Sequence, residues 1–258
     1  MIKEYWCDDW QKIFSNNNLD CFDAIWNLKT DWFEEPNQRR GGWSGVVKFD
    51  LDTPRGAEGV FIKRQENHST KSFLHPISGV QTFEREFRNI LRLQKKGLPI
   101  LDLVYFAKRK VDGNDQAILI TKELTDYIPL DSERFLVNGD LITTEEHKVD
   151  LINKVTDALK KIHQFHYQHN CLYLKHIFVK PVNDSWDVKL IDLEKLKWCL
   201  FKKDAVFRDL FTLHRHSESW SNKMHLKFFK SYTGEKKLSS ESKKLLCSIK
   251  KKVDAKRK

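Results

Sequence analysis

Asp192 is the one acid in the apolar run Val188-Lys189-Leu190-Ile191-Asp192-Leu193. A carboxylate in a strand of that composition is costly to bury without a partner. Magnesium held beside nucleotide phosphates would supply one, and a salt bridge or a cap would be the alternative. Upstream, His169, Cys171 and His176 fall in a polar loop between the end of a helix and the apolar stretch Ile177-Phe178-Val179. His163, His166 and His169 recur every third residue, but no cysteine or acidic ligand joins them at zinc spacing, so they read as structural or capping histidines. Far earlier in the chain, Gly41, Gly42 and Gly45, with Trp43 and Ser44 between them, place three glycines in five positions before a hairpin. Glycine takes positive φ freely and has no side chain in the way. Such a loop could fold over phosphates, or could serve only the turn. Lys63 ends the apolar strand that follows and would need a carboxylate from a neighbouring helix to hold it.

The elements that must position these groups follow from periodicity. Val46–Asp50 and Gly59–Arg64 read as strands around a turn at Pro54-Arg55-Gly56. Cys21–Asn27 reads as a strand or short helix feeding the sheet, and Trp6, Trp10, Trp26 and Trp32 as packing residues. Thr82–Leu93 has helical spacing through Phe83, Phe87, Ile90 and Leu91, and Gly97 is placed to end it. Glu86 lies on the edge of that face, where it could turn inward to Lys63. Glu84 is the competing choice, and a solvated surface charge is the alternative for either. Strands are expected at Ile100–Phe106 and Ala117–Thr121. The irregular segment Lys122–Leu130, with Pro129 in it, then reads as a hinge between two lobes, residues 1–125 and 126–258. Backbone groups would hold an adenine there, with Glu123 counted among the nucleotide contacts. Thr143-Thr144-Glu145-Glu146 has the form of a capping box. It would open a helix to about His166, with an apolar stripe of Val149, Ile152, Val155, Leu159 and Ile162. A further helix starts at Arg208-Asp209-Leu210, where Asp209 would tie the polar loop's backbone.

Helix, polar loop, strand, turn and strand with an Asp is the layout of the catalytic loop and metal-binding Asp of protein-kinase-like phosphotransferases. His169 takes the place of that loop's histidine. Cys171 stands where the base Asp is usual.

Composition bounds the partners. The chain has 258 residues, enough for two lobes, and a formal charge of +10. That balance favours acidic partners: nucleotides, nucleic acid or an anionic membrane. Five cysteines without a Cys-x-x-Cys pair suggest neither a disulfide framework nor a zinc ribbon, and a reducing compartment fits best. There is no signal-peptide h-region and no apolar run of membrane-spanning length. A cytoplasmic protein is expected. The basic stretch from Lys236 to Lys258, with Leu238, Leu245, Leu246, Ile249 and Val253 interspersed, could lie as an amphipathic helix on the inner face of the inner membrane, or be a solvated helix or tail.

Arg39-Arg40-Gly41-Gly42-Trp43-Ser44-Gly45-Val46, His169-x-Cys171-Leu172-Tyr173-x-Lys175-His176-Ile177-Phe178-Val179, Ile191-Asp192-Leu193 and Arg208-Asp209-Leu210 occur in that order. Together they resemble the InaA-type branch of the bacterial lipopolysaccharide core kinase (Kdo/WaaP) family, over roughly residues 39–215. The resemblance implies an α+β, two-lobed protein-kinase-like fold: a small antiparallel-sheet N-lobe with one helix, and a mainly helical C-lobe. It implies ATP with Mg²⁺ or Mn²⁺, and phosphoryl transfer to a sugar hydroxyl of the lipopolysaccharide inner core. Carried over by position, Lys63 would pair with nucleotide phosphates, Glu86 would orient it, Asp192 would hold the metal, and His176 would stand at the second metal position. Active members carry His-Arg-Asp where this chain has His169-Asn170-Cys171. A nucleotide-binding pseudokinase with a regulatory or scaffold role in envelope stress is therefore the alternative. Nucleic acid is not an expected partner, since charge alone argues for it.

Overall fold

The stretch Ala117-Ile118-Leu119-Ile120-Thr121 is buried without alternation, the mark of a strand covered on both faces. The sheet around it is built accordingly. The computed structural model describes all residues except 1, 40, 73–74, 136–140, 143 and 258, and the side chains of those except 71, 72, 75–78 and 257. The chain divides into two compact units, Met1–Lys95 with Leu101–Thr125, and Lys96–Ile100 with Asp126–Lys258.

The first unit runs β1 (Glu4–Trp6), α1 (Trp10–Asn16), α2 (Phe22–Trp26), β2 (Glu34–Arg39), β3 (Gly42–Thr53), β4 (Gly56–Glu66), β5 (Ser69–Ser72), β6 (His75–Gln81), α3 (Thr82–Gln94), β7 (Leu103–Val111) and β8 (Asn114–Lys122). Six strands form one antiparallel sheet in the order β1-β7-β8-β4-β3-β2, and β5 and β6 form a separate pair. On one face Val47, Val60, Ile62, Ile118 and Ile120 pack with Phe14 and Ile25 of the short helices α1 and α2, and Trp6, Trp10, Trp26 and Trp32 close over them. Arg64 pins this N-terminal segment to β4: its guanidinium donates to the carbonyls of Trp26 (2.7 Å) and Leu28 (3.0 Å). On the other face α3 stacks Phe87 on Phe106 of β7, ring centroids 4.2 Å apart.

The second unit runs β9 (Ile128–Pro129), α4 (Glu145–Gln164), β10 (Tyr167–Gln168), β11 (Ile177–Val182), β12 (Ser185–Leu190), β13 (Lys197–Trp198), α5 (Lys202–Arg215), α6 (Asn222–Thr233) and α7 (Ser240–Arg257). The cap of α4 is Thr144, whose hydroxyl accepts the His147 N–H at 3.1 Å; Thr143 lies outside the described residues. The helix ends at Gln164, and its buried face starts at Leu151 and Ile152, leaving Val149 exposed. His166 follows in the left-handed region, φ 62°, where no helix continues. Strands β12, β11 and β9 form a three-stranded sheet, and β10 pairs with β13. The basic C-terminal stretch is helical, but its apolar face is covered: Ile249 and Val253 are buried where α7 packs on α5.

Candidate functional site

Each unit gathers one group of the expected residues. In the first, Lys63 Nζ meets Glu86 Oε1 at 2.7 Å, with Lys63 20% and Glu86 3% exposed. The pair exists because β4 itself fixes the start of α3. The N-cap position of α3 has no side-chain cap of its own. Instead the buried Gln65, two residues beyond Lys63, offers its Oε1 to the Thr82 hydroxyl (2.6 Å) and the Phe83 N–H (3.0 Å). An orphan helix N–H is thus satisfied by the strand that carries the lysine. Glu84 is turned elsewhere, to Lys108 at 2.7 Å and Arg88 at 2.5 Å.

The glycine stretch forms the turn of the β2–β3 hairpin and the start of its second strand. Gly41 has φ 81° with open space where a Cβ would be. The other two glycines are packed tightly. A Cβ on Gly42 would overlap the Glu66 carbonyl, and one on Gly45 would sit 2.6 Å from the Trp32 ring. Trp43 joins the aromatic cluster, 5.5 Å from Trp26 and 6.2 Å from Trp32. Ser44 lies opposite Gln65 in the sheet. Glu123 binds Lys48 at 2.6 Å and lies over Gly59, so close that a Cβ there would overlap its carboxylate.

In the second unit, hairpin register does the positioning. Ile177 lies opposite Leu190, and beyond them the Ile191 N–H donates to the His176 carbonyl at 3.1 Å. That pairing carries His176 and Asp192 to the same end of the hairpin, with Nδ1 3.5 Å from Oδ2. Asp192 is not within the strand, as its apolar neighbours suggested. The strand ends at Leu190, and Asp192 turns into the left-handed region, φ 57°, with its side chain 35% exposed. It therefore escapes the burial cost that first singled it out.

The polar loop is strung on Asp209. This fully buried carboxylate of α5 accepts the His169 N–H (2.7 Å), the Asn170 N–H (2.9 Å) and His163 Nε2–H (3.1 Å). His169 bridges onward: its Nε2–H donates to the Ile191 carbonyl (2.9 Å), and its Nδ1 accepts the Cys171 N–H (3.3 Å). Burial keeps this imidazole below its ordinary pKa, as the neutral tautomer requires.

The side chains that face chemistry are less conventional. Cys171 is 3% exposed. Burial, with Asp192 adding to it, pushes its thiol pKa up, and the nearby Lys195 offsets this only partly. At neutral pH it is a thiol, not a thiolate base. His176 is held below the usual imidazole value, chiefly by burial. Its Nδ1 lies 2.8 Å from the Cys171 carbonyl, an atom that only accepts, so Nδ1 carries the proton and Nε2 alone is left to ligate. Among the described residues no group of three or more His, Cys, Asp or Glu is placed to hold a metal. A single carboxylate such as Asp192 would still suit magnesium, which takes one or two carboxylates and completes its shell from phosphates and water. Lys195 was not singled out from the sequence, because a lysine in a polar loop has no signature.

The model of the lipopolysaccharide kinase (Kdo/WaaP) family matches residues 23–232 of the chain. This protein belongs to that family. Protein InaA of Escherichia coli (strain K12) is 29% identical over 199 residues, which cover 77% of this chain and 89% of that protein. The solved structure of WaaP in complex with acyl carrier protein superposes with a TM-score of 0.69 at 17% identity, covering 98% of this chain and 99% of WaaP. The fold is thus protein-kinase-like, as the Kdo/WaaP resemblance implied, though the first unit holds the short helices α1 and α2 as well as the one helix expected there. Among the described residues no helix is long and apolar enough to cross a membrane.

Proposed function

We propose that this chain is an ATP-dependent phosphotransferase of the lipopolysaccharide core type, passing the γ-phosphate to a sugar hydroxyl of the inner core at the cytoplasmic side of the inner membrane. The observation that carries the reading is the 2.7 Å Lys63–Glu86 pair. A lysine presented by a strand and steadied by a nearly buried glutamate is the device by which kinase-like proteins hold nucleotide phosphates. Asp192 would hold the magnesium ion, which when bound offsets phosphate charge as the leaving oxygen develops it. Asp209 and His169 keep the loop backbone in place, so the acceptor would meet a preorganised surface. Cys171 offers no charge to take the acceptor's proton. Phosphoryl transfer has a loose transition state and depends mainly on positioning, so the proton can leave late, to an oxygen of the transferred phosphoryl group or to water, at a cost of roughly 10²–10⁴ in rate for the missing base.

The same thiol favours a second reading, a pseudokinase that binds ATP and signals by its bound state. ATP binding and γ-phosphate transfer with Mg²⁺ or Mn²⁺ and purified core lipopolysaccharide decide between them, comparing wild type with Lys63→Ala and Asp192→Ala. Transfer that both substitutions abolish is the expected result. Binding without transfer would support the pseudokinase, and no binding would overturn both. WaaP has been solved with acyl carrier protein, and a protein partner of that kind is a further candidate for this chain.

A further inference from the structure

Three large apolar side chains within four residues of the second unit stand in solvent: Trp198, Leu200 and Phe201 are 59%, 66% and 56% exposed. Single exposed apolar residues are ordinary, but a contiguous group marks an interaction surface. This group is held out rigidly. Trp198 lies in β13, paired with Tyr167 of β10. Its ring stacks on His166, 6.1 Å between centroids and 11° between planes. The Cys199 N–H donates to the His166 carbonyl at 2.8 Å. His166 Nδ1–H in turn donates to the carbonyls of Leu200 (3.1 Å) and Cys199 (3.3 Å). A histidine thus braces the backbone of the loop and one face of the Trp198 ring, while Trp198, Leu200 and Phe201 stay exposed.

The surroundings are cationic. Residues 195–204 contain Lys195, Lys197, Lys202 and Lys203 against the single acid Asp204. Lys203 Nζ lies 5.5 Å from the Phe201 ring. Lys202 and Lys203 open α5, the end of a helix where the macrodipole disfavours positive charge. Helix stability therefore does not account for them.

We propose that Trp198, Leu200 and Phe201 form a tip that enters the headgroup region of an anionic phospholipid bilayer, with Lys197, Lys202 and Lys203 on its phosphates. Indole rings favour that interface, and basic residues beside an apolar wedge are the arrangement that holds a protein on such a surface. The choice of lipid over an acidic protein rests on the cations, which are all lysines: protein interfaces are enriched in arginine and depleted in lysine. Helix α7 is the poorer candidate, because Ile249 and Val253 are buried in its contact with α5. The proposal stands apart from whether phosphate is transferred, since none of these side chains is assigned to that site.

The test is sedimentation of the full chain with vesicles of phosphatidylglycerol and phosphatidylethanolamine, and with phosphatidylcholine vesicles. Binding should require phosphatidylglycerol and weaken with salt. Replacing Trp198, Leu200 and Phe201 together by Ser, or changing Lys202→Glu with Lys203→Glu, should each lower partitioning at least about tenfold. Lys250→Glu with Lys251→Glu, on the exposed side of α7, should change it less than about twofold. Quenching of tryptophan fluorescence by brominated lipid should fall in Trp198→Phe, which keeps the apolar bulk and the binding. Failure of the wild type to bind, equal losses from the α7 and loop variants, or unchanged quenching in Trp198→Phe would each overturn the proposal. So would loop-dependent binding to acyl carrier protein without binding to vesicles.

Discussion

The Lys63–Glu86 pair of the first unit and the 169–176 loop of the second would carry unlike parts of the proposed chemistry. In the first, the residues that would handle phosphate charge are the ordinary ones, and Gln65 locks strand to helix so that they meet. In the second, the scaffolding is complete, with Asp209 accepting two loop N–H groups and His169 spanning to Ile191, yet the group presented is a buried thiol. The backbone of a catalytic loop and the acid–base chemistry of its side chains are therefore separable. The Asp209 network reaches Cys171 through its backbone N–H, which His169 Nδ1 accepts, so a replacement of the side chain keeps that hydrogen bond available.

Changing that one group is the sharpest way to exploit the difference. Cys171→Asp should raise γ-phosphate transfer roughly 10²–10⁴-fold if only the base is missing, measured with saturating ATP and core lipopolysaccharide. Cys171→Ala should leave the wild-type rate within about twofold, because a thiol held above its usual pKa was not taking the proton. A large loss in Cys171→Ala would make the thiol a participant and erase the contrast. The scaffold comes next. Asp209→Ala strands two buried donors, the His169 N–H and His163 Nε2–H, together with the half-buried Asn170 N–H. At about 1–3 kcal/mol for each buried unsatisfied group, the loss of unfolding free energy should reach about 2 kcal/mol or more, read by urea denaturation.

A smaller effect separates the two glutamates of α3. Glu86→Gln removes the carboxylate at Lys63 while keeping its shape, and should weaken ATP binding about tenfold, the worth of one charge-assisted hydrogen bond. Glu84→Gln touches Arg88 and Lys108 instead. It should lower the melting temperature and leave ATP affinity within about twofold. Isothermal titration of both variants measures the first effect, and equal losses would mean that Lys63 needs no particular partner.

What could be read from the sequence was whatever local pattern determines. Apolar periodicity located α3, α4 and the β11–β12 hairpin, and the polar residues between helix and strand placed His169, Cys171 and His176 in one loop. Patterns that depend on what covers a surface could not be read. The leucines and valine of the C-terminal helix announced an apolar face, but not that α5 would bury it. Counting glycines could not distinguish room for a ligand from room for the protein, and the space beside Gly45 is taken by Trp32, thirteen positions earlier. Asp192 looked buried because its neighbours are apolar, and only its positive φ turns it outward. Gln65 and Lys195 act through contacts made by folding, and neither has a motif.

The mildest expected effect tests whether the scaffold depends on neutral imidazoles. His169 and His176 are both held below the ordinary value of 6.5, burial being the largest cause for each. Below pH 6.5 the unfolded chain takes up protons that these folded histidines still refuse. The unfolded state then binds more protons, and stability falls as pH drops toward the depressed folded values. Above 6.5 both states are neutral and the contribution is complete. Urea melts at pH 7.5, 6.5 and 5.5 should therefore show unfolding free energy holding down to about 6.5 and declining below it. His169→Gln, whose amide can still donate toward the Ile191 carbonyl, should shallow the decline. If the decline persists undiminished in both His169→Gln and His176→Asn, the acid sensitivity lies with other groups, and the loop's order does not depend on keeping its histidines uncharged.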